Sequence, residues 1–187
     1  QAATTYAFDP ADPVKTVGGP NLTLDIGPLD QREISGRQDY LRFETEPLAE
    51  DISIAGPIVL ELYVSTDAPD TDIMAKLVDV YPDGYEALLT DAALRLRYRN
   101  GRTSDAVQMM KPGQVERIEI PLGSLANTFE AGHRIAVHVT SSNYPRFEVN
   151  PNTGDPIGQN TSKPRIANNT VHHDAVHASA LVLPVVE

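Results

Sequence analysis

Apolar and polar side chains alternate with a period of two through much of the chain. This period predicts β-strands, because successive side chains of a strand point to opposite faces of a sheet. Leu60, Leu62 and Val64, for example, share one parity of their segment. Each such segment is typical of a strand with one face or edge in water. The segments are residues 58–65, 73–81, 94–99, 115–121 and 135–140, with shorter candidates at 39–44 and 180–185.

Turn-forming sequences separate these segments at short intervals. Residues 81–84, Tyr-Pro-Asp-Gly, lie between two apolar runs and predict a β-hairpin. The only helical pattern is brief, around residues 122–126. Fifteen prolines and twelve glycines spread among many short strands favour a two-layer sandwich over a helical or alternating α/β fold. We therefore expect an all-β sandwich of roughly eight to ten strands.

A chain of 187 residues is long enough for one good core and short for two. We expect a single domain over residues 1–187, with no internal boundary. Residues 1–38 contain several prolines and glycines and are weakly periodic, so we expect an extended arm that wraps a sandwich formed by residues 39–187. The alternate apolar positions expected in the core are Leu60, Leu62, Val64, Val78, Val80, Leu96, Ile118, Ile120, Ile135 and Val137.

The chain carries 26 acidic and 15 basic side chains, a formal net charge of −11. This charge argues against binding to nucleic acids or to anionic membrane surfaces, which both require clustered positive charge. No apolar run approaches the roughly 20 residues that span a bilayer. Cysteine is absent, which excludes disulfides, thiol catalysis and cysteine-bound zinc. The sequence leaves the cellular compartment and the oligomeric state open, including a homo-oligomer.

Motifs of nucleophilic or metal-dependent catalysis are missing from the sequence. It contains no Gly-x-Ser-x-Gly and therefore no nucleophile elbow. His173 and His177 are four residues apart, which on a helix would place both imidazoles on one face. The flanking residues have a strand pattern, however, and four residues of strand span about 13 Å, too far to share one zinc ion. We expect no catalytic residue, no metal site and no cofactor in the chain.

Acidic residues cluster in the turn at residues 67–72. Asp67, Asp70 and Asp72 carry the hard oxygen ligands that calcium prefers. Their spacing does not match an EF-hand loop, and aspartate side chains commonly cap turns of this kind. We favour a structural turn, and the sequence leaves a weak calcium site here open.

The strongest functional signal is the loop at residues 141–154, which follows a predicted strand. It combines prolines, asparagines and a glycine with Tyr144, Arg146 and Phe147. A loop that only reverses the chain does not require such a cluster, so we expect this loop to pack on, or bind, another surface. The alternative is that the two aromatic rings fill the domain's own core. The acidic turn is the second candidate region, because it can accept Arg146 or a basic group of a partner. The candidate residues for contact with another domain or with a substrate cleft are Asn143, Tyr144, Arg146, Phe147, Asn150, Asn152, Asp67, Asp70 and Asp72.

Several segments, taken in order, resemble one family of serine hydrolases. Residues 6–14 and 16–19 resemble the opening of the C-terminal domain of X-Pro dipeptidyl-peptidase-like hydrolases, the cocaine esterase and glutaryl-acylase group. Each motif is modest, but their order and number make the resemblance specific over nearly the whole chain. The further matching segments are residues 43–48, 56–57, 64–72, 76–84, 131–135, 141–154, 168–174 and 181–184.

The resemblance implies a jelly-roll β-sandwich, similar to galactose-binding-like domains, that follows an α/β-hydrolase domain carrying the catalytic Ser, Asp and His. It implies an accessory role, in which the jelly roll packs on the catalytic domain and helps to wall its substrate cleft. The parent would be a serine peptidase, esterase or acylase, whereas the chain alone is expected to be inactive. None of the family's catalytic motifs has a matching position here. The alternative is a free-standing module that binds carbohydrate or another small ligand.

Overall fold

The computed structural model describes residues 2–159 and 161–186. These residues form nine β-strands and two short 3-10 helices, at Gln31–Ile34 and Leu96–Tyr98. Neither helix is long and apolar enough to cross a membrane. The strands are β1 (Ala3–Phe8), β2 (Tyr40–Glu44), β3 (Ile52–Thr66), β4 (Asp72–Val80), β5 (Glu86–Arg95), β6 (Glu116–Phe129), β7 (Arg134–Thr140), β8 (Ala167–His172) and β9 (Ala180–Val182).

The strands form two antiparallel sheets that pack face to face. The first sheet has the order β1-β8-β3-β6, and β9 also pairs with β3. The second sheet has the order β2-β7-β4-β5. Apart from the β4–β5 hairpin, successive strands through β8 lie in opposite sheets, which is the arrangement of a jelly roll. The predicted all-β sandwich is confirmed, and so is the predicted hairpin.

The core lies between the sheets and is built by the alternate side chains of the long strands. On β3, Ile58, Leu60, Leu62 and Val64 are at most 3% exposed, whereas the side chains between them are partly exposed. Phe129 at the end of β6 is fully buried in the same cluster. The ten core positions expected from the sequence are all buried.

Strand β4 is buried on both faces, because the arm covers the outer face of the second sheet. Every residue of β4 is buried. Leu77 faces the core between the sheets, whereas Lys76 lies under the arm. Lys76 Nζ donates to Oε1 of the fully buried Gln31 in the arm at 2.8 Å. Burial lowers the pKa of Lys76 to about 8. The arm is therefore held by polar as well as apolar contacts.

Residues 1–38 contain the first strand of the sandwich as well as a covering arm. Strand β1 pairs antiparallel with β8 along its whole length. Only two of its side chains, Tyr6 and Phe8, are buried, so its alternation is too short to predict a strand. The boundary expected at residue 38 therefore does not separate arm from sheet. Gln1 lies outside the described residues.

Two local predictions are wrong. The segment at 94–99, predicted as a strand, leaves the sheet at Arg95 and continues as a 3-10 helix. The cause is that the backbone N–H of Arg97 donates to Asp70 at 2.9 Å instead of to a neighbouring strand. Residues 122–126, predicted as helical, lie in β6. Gly123 has a φ of 88° there, beside a register shift against β3, and this irregularity hides the alternation.

Candidate interdomain contact surface

The loop at residues 141–154 and the acidic turn at residues 67–72 lie against each other, and we call them the loop–turn platform. Asn150 connects the two segments. Its amide nitrogen donates to Asp70 Oδ2 at 3.0 Å and to Asp72 Oδ1 at 2.7 Å. All three side chains are buried. Two segments that the sequence indicated separately thus form one unit.

Two arginines, Arg95 and Arg97, form salt bridges with the buried carboxylates of the turn. Arg97 Nε lies 2.8 Å from Asp70 Oδ2, and Arg95 Nε lies 2.8 Å from Asp72 Oδ1. Burial raises the pKa of Asp72, an effect that the hydrogen bond from Arg95 opposes. Arg97 also donates to the backbone oxygen of Asp155 at 2.9 Å, which fixes the end of the loop. Both carboxylates are therefore committed to partners inside the domain.

Asn152 and Asp67 also form hydrogen bonds within the domain. Asn152 has a φ of 62°, in the left-handed region that asparagine tolerates. Its side-chain nitrogen donates to Arg165 O at 2.8 Å. Asp67 accepts from the backbone and side chain of Asn168 at 2.9 and 2.7 Å. In residues 2–159 and 161–186, no group of three or more His, Cys, Asp or Glu side chains is arranged to hold a metal ion.

The start of the loop binds a different carboxylate, Asp91 on β5. Arg146 Nη2 lies 3.1 Å from Asp91 Oδ1, and Asn143 Nδ2 donates to Asp91 Oδ2 at 2.9 Å. Burial raises the pKa of Asp91, while the charge of Arg146 lowers it. Arg146 thus pairs with Asp91. The possibility that the acidic turn accepts Arg146 is therefore wrong.

The two aromatic residues of the loop lie at its surface. Tyr144 is 49% exposed, and Phe147 is partly exposed. The guanidinium carbon of Arg146 lies 5.3 Å from the centre of the Phe147 ring. Phe147 also lines a shallow cleft of about 500 Å³, whose walls include Asp72 and Tyr98. Of the candidate contact residues, Tyr144 and Phe147 are therefore the ones whose aromatic rings are accessible to a partner.

A second exposed feature was missed from the sequence: an apolar loop at residues 18–27 of the arm. At its tip Leu22 is fully exposed, and Ile26 is 63% exposed. Asn21 stabilises this loop, because its Oδ1 accepts the backbone N–H groups of residues 23 and 24. Backbone hydrogen bonds between the two ends of the loop close its base. The signal in the sequence is the alternation of three apolar residues between glycines, a pattern that also occurs in short strands.

The apolar loop of the arm lies beside the loop at residues 141–154, which we call the aromatic loop because it carries Tyr144 and Phe147. The backbone N–H of Thr16 donates to Tyr144 O at 2.7 Å, and the N–H of Arg146 donates to Thr16 Oγ1 at 3.2 Å. A Cβ on Gly19 would lie 3.6 Å from Arg146 Nη1. These contacts bring the base of the apolar loop beside residues 144–146. We call the exposed and partly exposed side chains of the two loops the apolar rim, which consists of Leu22, Ile26, Tyr144 and Phe147.

The histidine segment begins at His172, the last residue of β8, and its side chains bond to neighbouring strands and to Asp174. His172 Nε2 lies 2.9 Å from Ser65 Oγ. The carboxylate of this segment, Asp174, bonds to His177 instead, at 3.2 Å. Within the described residues, the Ser65–His172 pair is thus not oriented by Asp174 in the way that a catalytic triad requires.

Comparison with known proteins places the chain beside a group of hydrolases. The family model for the X-Pro dipeptidyl-peptidase C-terminal non-catalytic domain matches residues 1–182. The cocaine esterase of Rhodococcus sp. (strain MB1 Bresler) is 40% identical over 190 residues, which cover 100% of this chain and 33% of that protein. Solved structures of an alpha-amino acid ester hydrolase and of an aminopeptidase from the marine sediment archaeon Thaumarchaeota archaeon each match with a TM-score of 0.89 and 33% identity. They cover 100% of this chain, and the chain spans only 33% of their length.

Proposed function

We propose, since the chain belongs to the X-Pro dipeptidyl-peptidase C-terminal non-catalytic domain family, that it packs on an α/β-hydrolase catalytic domain of the same polypeptide. There it helps to wall the substrate cleft. The relatives are named as an esterase, an ester hydrolase and an aminopeptidase, which supports a parent that hydrolyses ester or amide bonds. Their greater length supports the presence of a further domain in that polypeptide.

The observation that carries this proposal is the apolar rim. Single exposed apolar residues are normal on a surface, but here four lie on two adjoining loops. Burying apolar surface contributes about 25 cal/mol per Å². Both loops are already held by internal hydrogen bonds, so little conformational entropy is lost on binding. The rim therefore has the composition and the preorganisation of an interface core.

The hydrogen bonds of the loop–turn platform hold the aromatic loop in place. The side chains of Asn143, Asn150 and Asn152 are buried and bonded within the domain, so their role in this proposal is to position the aromatic loop. Asp67 differs from these residues, because its side chain is 42% exposed. It is the acidic group of the turn most open to a basic group of the catalytic domain.

A cysteine-accessibility experiment tests this contact. Because the chain contains no cysteine, an introduced cysteine is the only thiol within residues 1–187. In the chain alone, Leu22→Cys should react rapidly with a maleimide, because Leu22 is fully exposed. In the polypeptide that joins the chain to its catalytic domain, the rate at this position should fall about tenfold or more, since an interface core excludes solvent.

The matched control is Val176→Cys, in the turn between β8 and β9. Val176 is 79% exposed and lies outside the rim. Its rate should be the same in the chain alone and in the joined polypeptide, with labelled positions identified by peptide mapping. Equal rates at Leu22 in both forms would show that the rim does not contact the catalytic domain.

A further inference from the structure

An apolar cavity opens between the two sheets, on the side where β2 and β9 approach each other. Its volume is about 170 Å³. Its floor is formed by side chains that are at most 7% exposed and come from both sheets. The floor residues are Leu60 and Leu62 of β3, Val137 and Val139 of β7, and Val171 of β8.

The mouth of the cavity is formed by two rings and one short strand. The rings of Phe43 and His173 meet edge to face, with centroids 5.9 Å apart. Ala180 and Leu181 of β9 lie in the lining as well. Leu181 is held in place because β9 pairs with β3, with Leu181 opposite Leu60. The cavity therefore has a rigid wall and a defined opening.

The polar side chains in the lining are His173 and Ser179, and both are already hydrogen-bonded to the protein. Ser179 Oγ donates to His172 O at 2.6 Å and accepts the backbone N–H of Tyr63 at 3.0 Å. His173 Nε2 bonds to Thr4 Oγ1 at 3.0 Å. A buried water requires two to four polar partners, so these committed groups make the cavity a poor site for water.

We propose that this cavity is a binding site for a small apolar molecule the size of one aromatic ring. An apolar cavity of about 150 Å³ in another protein stays dry and binds benzene, and the cavity here has a similar size and lining. The proposal concerns the inside of the sandwich and does not depend on the contact with a catalytic domain. We expect the cavity to favour ligands without a hydroxyl group, because a hydroxyl gives up its hydrogen bonds to water when it enters a lining that is mostly apolar.

The test is a titration of the 187-residue chain with toluene and with phenol, followed by methyl NMR. Toluene should cause saturable shifts of the methyl groups of Leu60, Val139 and Val171, with a Kd on the order of 1 mM or tighter. Phenol has the same size but should bind about tenfold more weakly, because its hydroxyl loses water on entering. Equal binding of the two ligands, or the absence of saturable shifts, would overturn the proposal.

Three phenylalanine variants locate the site. Val139→Phe fills the floor and should weaken toluene binding at least tenfold, since Val139 is fully buried in the lining. Ala180→Phe narrows the mouth from the exposed strand and should have the same effect without disturbing the core. Val182→Phe, on the same strand but outside the lining, should bind toluene like the unsubstituted chain. Toluene binding retained by both lining variants would contradict the assignment, even if Val139→Phe alone lowers stability.

Discussion

Lowering the pH from 7 to 5 is expected to destabilise the chain by about 2 kcal/mol through His138 alone. His138 is fully buried, and burial lowers its pKa to about 3, with the charges of Lys76 and Arg42 acting in the same direction. The unfolded chain takes up this proton near the ordinary pKa of about 6.5, well before the folded chain does. The stability from neutral His138 is therefore nearly complete above about pH 6.5 and is lost progressively as the pH falls, by about 4 kcal/mol near pH 3 and about 5 kcal/mol below it.

The surroundings of His138 do not favour its charged form. Neither ring nitrogen has a hydrogen-bond partner among the described residues. Glu86 Oε2 lies 3.5 Å from Nε2, but burial raises the pKa of Glu86, which weakens it as a counter-charge. The imidazole instead packs edge to face on Tyr40, with centroids 5.0 Å apart.

His138→Phe is the matched variant for this prediction, because it keeps a ring against Tyr40 and removes the titrating group. Urea unfolding of both proteins at pH 7 and pH 5 gives the comparison. The loss of unfolding free energy between these pH values should be about 2 kcal/mol smaller in the variant. An identical pH dependence in the two proteins would show that another group causes it.

Replacing Asp70 with alanine is expected to lower the free energy of unfolding by about 3–5 kcal/mol, because it leaves a buried guanidinium without its counter-charge. Asp70 is fully buried, and the side chain of its partner Arg97 is 7% exposed. The substitution also removes one of the two acceptors of Asn150, so the segments of the loop–turn platform keep only the bond from Asn150 to Asp72. For a chain of this length the melting temperature should fall by on the order of 10 °C.

Asp67→Ala is the control, because it removes a carboxylate from the same turn at an exposed position. Asp67 lies 3.7 Å from Arg165, with side chains 42% and 46% exposed, and exposed pairs contribute only about 0–1 kcal/mol. Its bonds to Asn168 add a further small loss. Thermal unfolding should therefore separate the two variants clearly. Equal melting temperatures would contradict the role given to burial of the Asp70–Arg97 pair.

The sequence predicts the strands in which apolar and polar residues alternate over many positions. The prediction fails where the alternation is short. The central strand β3 alternates over four apolar positions, and the hairpin between β4 and β5 has a turn of known chemistry. Strand β1 buries only Tyr6 and Phe8, and its partner β8 begins near residue 167. A pairing across so many residues leaves no local signal, so this strand is visible only in the folded chain.

The candidate surface shows the same division. The unusual composition of the aromatic loop predicts a contact role. Composition does not reveal whether a given side chain contacts its own domain or faces the solvent. Asn150 and Asp70 are 80 positions apart in the chain, and their hydrogen bond depends on the jelly-roll topology. Leu22 shows the same limit, because the alternation of apolar residues at positions 22, 24 and 26 is also found in short strands, and it does not reveal that Leu22 is fully exposed.

The most direct test of the central proposal, that this chain accompanies a catalytic domain with a nucleophilic serine, is labelling with a fluorophosphonate probe. The joined polypeptide should be labelled at one serine outside residues 1–187, and the chain alone should remain unlabelled and inactive on activated esters. Ser65 is the residue to follow, because it lies 2.9 Å from His172 Nε2. Stoichiometric labelling of Ser65, or of any other serine within residues 1–187, would contradict the account.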